Sequence, residues 1–137
     1  MKAAPFSDRI PLVIDTSAWI RHRNPRSIDR WHATNDASCL ASCPAAAIEI
    51  LRTARDEPMF EALDKHLSLL PQAPVTETAC RAALTAMREL GARRRLPAVD
   101  YLIAAAAAER GFGVLHADRH FDLLATVLGF ESVRLPE

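Results

Sequence analysis

A chain of 137 residues, half of them apolar and a quarter charged, has the size and composition of one globular domain. Such a chain can bury roughly two-thirds of the surface its unfolded form exposes. Its 17 basic residues balance 17 acidic ones, so no broad basic face announces a nucleic-acid partner, and no stretch approaches the ~20 uninterrupted apolar residues of a membrane span. MKAAPFSDRIP, at the N-terminus, has no apolar core of secretory length, which makes a cytoplasmic address without membrane contact the expectation. Cys39, Cys43 and Cys80 form no C-x-x-C pair and have no histidine at zinc-finger spacing, so buried free thiols are expected.

The apolar run from Ile10 ends at Asp15 and reads as a buried strand with a carboxylate at its carboxyl end. Thr16 or Ser17 can cap a helix to about Arg23, and Pro25 breaks it. Ile28 and Trp31 are spaced for a short helix over Ser27 to Thr34, with Asn35 and Asp36 as turn residues and a weak strand over Ser38 to Ser42. Pro44 suits the first turn of a helix running to about Arg55. After Pro58, an amphipathic pattern places Phe60, Leu63, Leu67 and Leu70 on one side. Pro71 and Pro74 leave a brief extended piece at Ala73 to Val75. A longer helix over Thr76 to Gly91 has Ala79, Ala83, Leu84, Met87 and Leu90 as its expected inner stripe. Arg93, Arg94 and Arg95 read as a loop, Pro97 to Glu109 as a helix, Val114 to Ala117 as a strand, Phe121 to Leu128 as a helix and Ser132 to Leu135 as a strand. Strands alternating with helices imply right-handed crossovers and a parallel sheet of about four or five short strands, covered by helices on both faces.

The charges carry the chemistry. Between Leu96 and Ala108 the predicted helix is apolar nearly all round and Asp100 is its only charge. An unpaired carboxylate buried there costs several kcal/mol, and the helix N-terminus returns only about 0.3 to 1 kcal/mol. Glu49 is likewise the only charge from Cys43 through Leu51, and Asp118 closes its apolar strand as Asp15 closes the first. In an open α/β sheet, ligands bind at the carboxyl edge, and each of these four acids falls at a strand end or early in a helix that starts at that edge. Asp122, in the first turn after Asp118, can join them. Oxygen donors without cysteine or histidine suit magnesium or manganese, and phosphodiester hydrolysis is the natural chemistry of such a site. Each acid also has a plainer reading: a helix cap for Asp15, an interior ion pair with Arg52 or Arg55 for Glu49, turn and first-turn positions for Asp118 and Asp122. His116 and His120 flank Asp118 and can reach substrate, with packing or surface roles as their plainer reading.

VIDTSAW, AAAIEILRTAR, PAVDYLIAAAAAERG and VLHADRHFDLLA, in that order over about residues 10 to 130, resemble the four acidic motifs of PIN-domain nucleases, and in particular the VapC-type toxins of bacterial toxin-antitoxin pairs. The resemblance implies a single PIN-like domain over 1–137 with a Rossmann-like three-layer α/β/α fold. It also implies an endoribonuclease using Mg2+ (or Mn2+), with Asp15, Glu49, Asp100 and Asp118 as metal-binding and catalytic acids. Asp122 matches a position of variable role, and Thr16 or Ser17 the hydroxyl that steadies a carboxylate or a water. Homodimers and a small cognate antitoxin are implied partners beside the RNA substrate. Arg119 and Arg93 to Arg95 are candidates for phosphate contacts, against their plainer reading as solvated charges.

Other aspartate-based classes fit less well. An aspartyl-phosphate transferase wants a second aspartate two residues after Asp15, where Ser17 stands, and a receiver module wants a late lysine, whereas the lysines here are Lys2 and Lys65. A PIN-like module that only binds a partner or RNA is the remaining alternative.

Overall fold

The computed structural model describes residues 10–37 and 39–136. The N-terminal segment, the last residue and Ser38, the expected start of the second strand, lie outside the described residues. The elements in chain order are β1 (Pro11–Ile14), α1 (Thr16–Arg21), α2 (Ile28–Ala37), β2 (Cys39–Ala41), α3 (Pro44–Leu51), α4 (Glu57–Ser68), α5 (Glu77–Leu90), α6 (Ala98–Arg110), β3 (Gly113–His116), α7 (Arg119–Leu128) and β4 (Ser132–Arg134). The strands pair in the order β2-β1-β3-β4, all parallel, with Val13 between Ala41 and Val114, and Leu115 beside Val133. Every strand therefore ends at the same edge of the sheet, the edge at which α1, α3 and α7 begin.

Side chains alternate across a strand, and here the alternation divides the core in two. Val13 and Val114 join Ala79, Ala83 and Ala86 of α5, Ile103 to Ala107 of α6, and Phe121 and Leu124 of α7. Leu12, Ile14 and Leu115 face the opposite layer, with Ala18 of α1, Trp31 of α2, Ile50 of α3 and Leu67 of α4. The result is the expected three-layer α/β/α architecture with a four-stranded parallel sheet. The segment after α4 adds a single bridge between Ser42 and Gln72 rather than a fifth strand.

Several local expectations are corrected. Leu84 is 61% exposed and Ala86 takes its place inward, because positions 79, 83, 86 and 90 follow one helical face and 84 is turned about 100° from 83. The small alanines of that face let α5 lie close along α6. Phe60 is exposed as well, leaving Leu63 and Leu67 to bury α4. Asn35 and Asp36 belong to the last turn of α2. Helix α3 stops at Leu51 rather than near Arg55, as Thr53 turns its hydroxyl back onto the Ile50 carbonyl at 2.7 Å, and Asp56 then caps α4 through Met59 N at 2.9 Å. The cysteines are free, with Cys43 buried and Cys39 and Cys80 half-buried. No helix among the described residues is long and apolar enough to cross a membrane.

Gly113 opens β3 where two elements touch. A Cβ there would lie 2.6 Å from the Glu131 carbonyl oxygen and 2.7 Å from Leu12 Cδ2, and that carbonyl is held by Val114 N at 2.9 Å. Gly113→Ala is expected to lower stability by about 1 to 3 kcal/mol, the usual range for overpacking, read as a lower urea midpoint with unchanged slope.

Candidate active site

Asp15 leaves β1 with its backbone N–H donated to the Leu115 carbonyl of β3 at 3.0 Å. Only 5% exposed, it caps α1 by accepting from Ser17 N at 3.0 Å and from the Ser17 hydroxyl at 2.6 Å, both through Oδ2. The same hydroxyl accepts the N–H of Ala117 at 2.9 Å. Ser17 thus ties the carboxylate after β1 to the backbone just after β3. Ser17→Ala is expected to cost about 1 to 3 kcal/mol, because it strands a buried N–H and removes a charge-assisted bond. A fall in the denaturation midpoint checks this, with Ser17→Thr retaining more of the stability.

Asp118 follows β3 and caps α7 by accepting from His120 N at 3.0 Å. Asp100 sits in the first turn of α6 and is 8% exposed. His120 Nδ1 lies between these two acids, 2.9 Å from Asp100 Oδ2 and 3.2 Å from Asp118 Oδ2. Glu49, half-buried in α3, accepts from the Thr16 hydroxyl at 3.3 Å. The two hydroxyls that the sequence leaves as alternatives therefore serve different acids, Ser17 holding Asp15 and Thr16 holding Glu49.

The Asp100 carboxyl is pushed up to about 6, chiefly by burial and in part by the charges of Asp15 and Asp118, against the opposing effects of the His120 hydrogen bond and charge. Three acids from three separated segments are therefore near enough to repel one another. Among the described residues no arginine or lysine forms an ion pair with Asp15, Glu49, Asp100 or Asp118, so the interior pair of Glu49 with Arg52 or Arg55 is not formed. A set of oxygen donors with one histidine and no arginine or lysine beside it fits a hard divalent cation. The ligand atoms of Asp100, Asp118 and His120 lie within 4.8 Å of one another, a compact donor group with the histidine nitrogen bridging two carboxylates.

Asp122 turns elsewhere. Its Oδ1 accepts from the Ser132 hydroxyl at 2.7 Å, and its Oδ2 faces Arg134 at 3.4 Å. Ser132 also meets Nε2 of the fully buried His116 at 2.7 Å, and His116 Nδ1 accepts the Asp118 N–H at 3.2 Å. Burial holds the His116 imidazole below its usual titration range, which fits one tautomer: Nδ1 accepts, Nε2–H donates to Ser132, and Ser132 donates to Asp122. A chain of hydrogen bonds thus runs from β4 to the backbone of Asp118. Arg119 is exposed at the start of α7. Arg93 and Arg94 lie on an exposed 3-10 turn, Ala92–Arg94, with Arg95 directly after it, in the connection leading to the α6 turn that carries Asp100.

Sequence reasoning missed His120 as a member of the acid group. Its signal was the spacing, two residues past Asp118 and inside the first helical turn, where its ring can fold back over the cap.

A parallel α/β/α domain whose acids gather at the carboxyl edge of its sheet defines a class, and similarity to known proteins agrees: the PIN domain model matches residues 12–127. The chain belongs to the PIN domain family, and within it to the VapC ribonucleases. It is 32% identical over 121 residues to Ribonuclease VapC18 of Mycobacterium tuberculosis, covering 85% of this chain and 88% of that one. Ribonuclease VapC51 of the same organism is 35% identical over 121 residues, covering 85% and 87%. Among solved structures, the VapBC-5 toxin-antitoxin system of Mycobacterium tuberculosis matches with a TM-score of 0.67 at 22% identity, covering 91% of this chain and 98% of that one. VapBC2 from Rickettsia felis matches with a TM-score of 0.69 at 13% identity, covering 92% and 99%. At those identities the structures speak for the fold.

Proposed function

We propose that this chain is the toxin of a toxin-antitoxin pair, an endoribonuclease that hydrolyses RNA phosphodiester bonds with Mg2+ or Mn2+ held by Asp15, Glu49, Asp100 and Asp118. The observation that carries the reading is the convergence of Asp15, Asp100 and Asp118 with no arginine or lysine paired to them among the described residues. What an ion supplies in such a site is polarisation of a phosphoryl oxygen and activation of water for in-line displacement.

The chain's own residues do the positioning. Ser17 fixes Asp15, Thr16 steadies Glu49, and His120 Nδ1, in reach of both carboxylates, holds the Asp100 and Asp118 side chains together. Asp122 acts in the same way, since through Ser132 and His116 it holds the backbone of Asp118, a positioning role rather than a ligand role. RNA phosphates are the expected contacts of Arg119 and Arg93 to Arg95. Solved relatives include VapBC systems, which supports a small antitoxin as the partner, and a homodimer is the proposed assembly.

Purified chain free of antitoxin is expected to cleave single-stranded RNA with Mg2+ or Mn2+ and to stop when EDTA is added. Intact RNA under both metals would overturn the reading.

A further inference from the structure

One turn of α1 beyond Asp15 lies a feature that hydrolysis by itself does not require. Trp19 stacks on His22 with ring centroids 4.5 Å apart and 28° between planes, and His22 in turn meets Trp31 at 5.1 Å. Trp19, Ile20, His22, Arg23, Thr53 and Met59 line an open cleft of about 170 Å³ at the end of this stack. Trp19 is half-buried and Ile20 is 64% exposed, so an aromatic ring and an apolar side chain border water where a folded core would hide them.

Its position ties the cleft to the acids. Trp19 lies four residues after Asp15 and donates its N–H to the Asp15 carbonyl at 3.0 Å. Thr53 lies four residues after Glu49, the acid that Thr16 contacts. Trp19 is thus about one helical turn beyond Asp15, and Thr53 follows the end of the helix that carries Glu49. Arg23 lines the cleft, Arg21 precedes it on the same segment, and Arg52 and Arg55 flank Thr53, against Asp56 and Glu57 at the start of the helix that carries Met59. Among the described residues none of these four arginines forms an ion pair.

We propose that this cleft is a nucleotide subsite, in which an unpaired base of the RNA packs against Trp19 while Arg23 and the neighbouring arginines receive the adjoining phosphates. This rests on the nuclease reading above and extends it to how the substrate is held. Unstacked bases of single-stranded RNA are commonly bound on aromatic rings and guanidinium planes, and arginines at the rim add the sequence-independent attraction of phosphate. The alternative occupant of an apolar cleft, an antitoxin segment, gives no particular use to an exposed Arg23 in the same wall as the stacked indole.

The test uses a fluorescein-labelled, unstructured ten-nucleotide RNA of mixed sequence. Its binding is followed by anisotropy in EDTA and its cleavage in Mg2+. Trp19→Ala is expected to weaken binding roughly five- to a hundredfold, the range for loss of one stacked base, with most of the catalytic loss in KM. Trp19→Phe, which keeps a ring and guards against misfolding, should recover most of it. Arg23→Gln should reduce the slope of log affinity against log salt by about 0.7. Parent-like RNA affinity and KM in Trp19→Ala would overturn the subsite, and accompanying loss of antitoxin binding would hand the cleft to the antitoxin. A parent that binds RNA through Trp19 but never cleaves it would instead remove the nuclease reading and leave the subsite standing.

Discussion

Asp15→Asn is expected to reduce kcat/KM for RNA cleavage by at least about a thousandfold, roughly 4 kcal/mol of transition-state stabilisation, while the fold survives. The two expectations have separate causes. The amide oxygen of asparagine still accepts from Ser17 N and from the Ser17 hydroxyl, so the cap of α1 and the bridge to Ala117 persist. The formal negative charge is what disappears, and a hard cation depends on it far more than a capping bond does. Initial rates on a labelled oligoribonucleotide in Mg2+, taken beside the far-ultraviolet circular dichroism of the same samples, separate these effects. Cleavage within about threefold of the parent would mean that Asp15 is a helix cap and nothing more.

The second large effect concerns Asp100 and appears without any RNA. Its carboxyl lies at about 6 in the folded protein against an ordinary value of 3.8, so the folded chain holds that proton more tightly than the unfolded one. The stabilisation is therefore fully present below about pH 4 and is lost as pH rises through 6. At neutral pH, in EDTA, the ionised Asp100 then disfavours the fold by on the order of 3 kcal/mol. Asp100→Asn removes the ionisation. The substituted protein is expected to lack the decline between pH 4 and 6 and to melt several degrees higher than the parent at pH 7.5 in EDTA. Mg2+ should raise the parent's melting temperature, because ligands of the folded state stabilise it by mass action, and raise the variant's much less. A variant that melts several degrees lower in EDTA at neutral pH would make Asp100 a structural residue held by His120.

These two results and the Ser17 prediction probe one arrangement from different sides. Asp100 is held at a cost and Asp15 is held by good hydrogen bonds, yet both belong to the same edge of the sheet. Removing the charge should help the chain in the first case and be tolerated in the second. Removing the hydroxyl of Ser17 should harm it, because that hydroxyl satisfies groups on both β-α connections.

The sequence by itself determined the order of elements and the positions of the acids. Short β-prone runs that stop at Asp15 and Asp118 allow only a strand followed by a capped helix, and a helix as apolar as α6 must be enclosed, which made Asp100 conspicuous before any contact was known. Repetition of that pattern then required parallel strands with a common carboxyl edge. Helix phase and chain ends were less legible: Leu84 and Ala86 both fit an apolar stripe, and only contact with α6 selects the smaller one. Likewise Thr53 and Asp56 end and restart helices through local hydrogen bonds that compete closely with continuing α3. The placing of His120 between two acids, the division of labour between Thr16 and Ser17, and the turning of Asp122 toward Ser132 were decided by tertiary structure alone. Each depends on which side chain from a distant segment arrives within hydrogen-bonding distance, and spacing along one strand or helix holds no record of that neighbour.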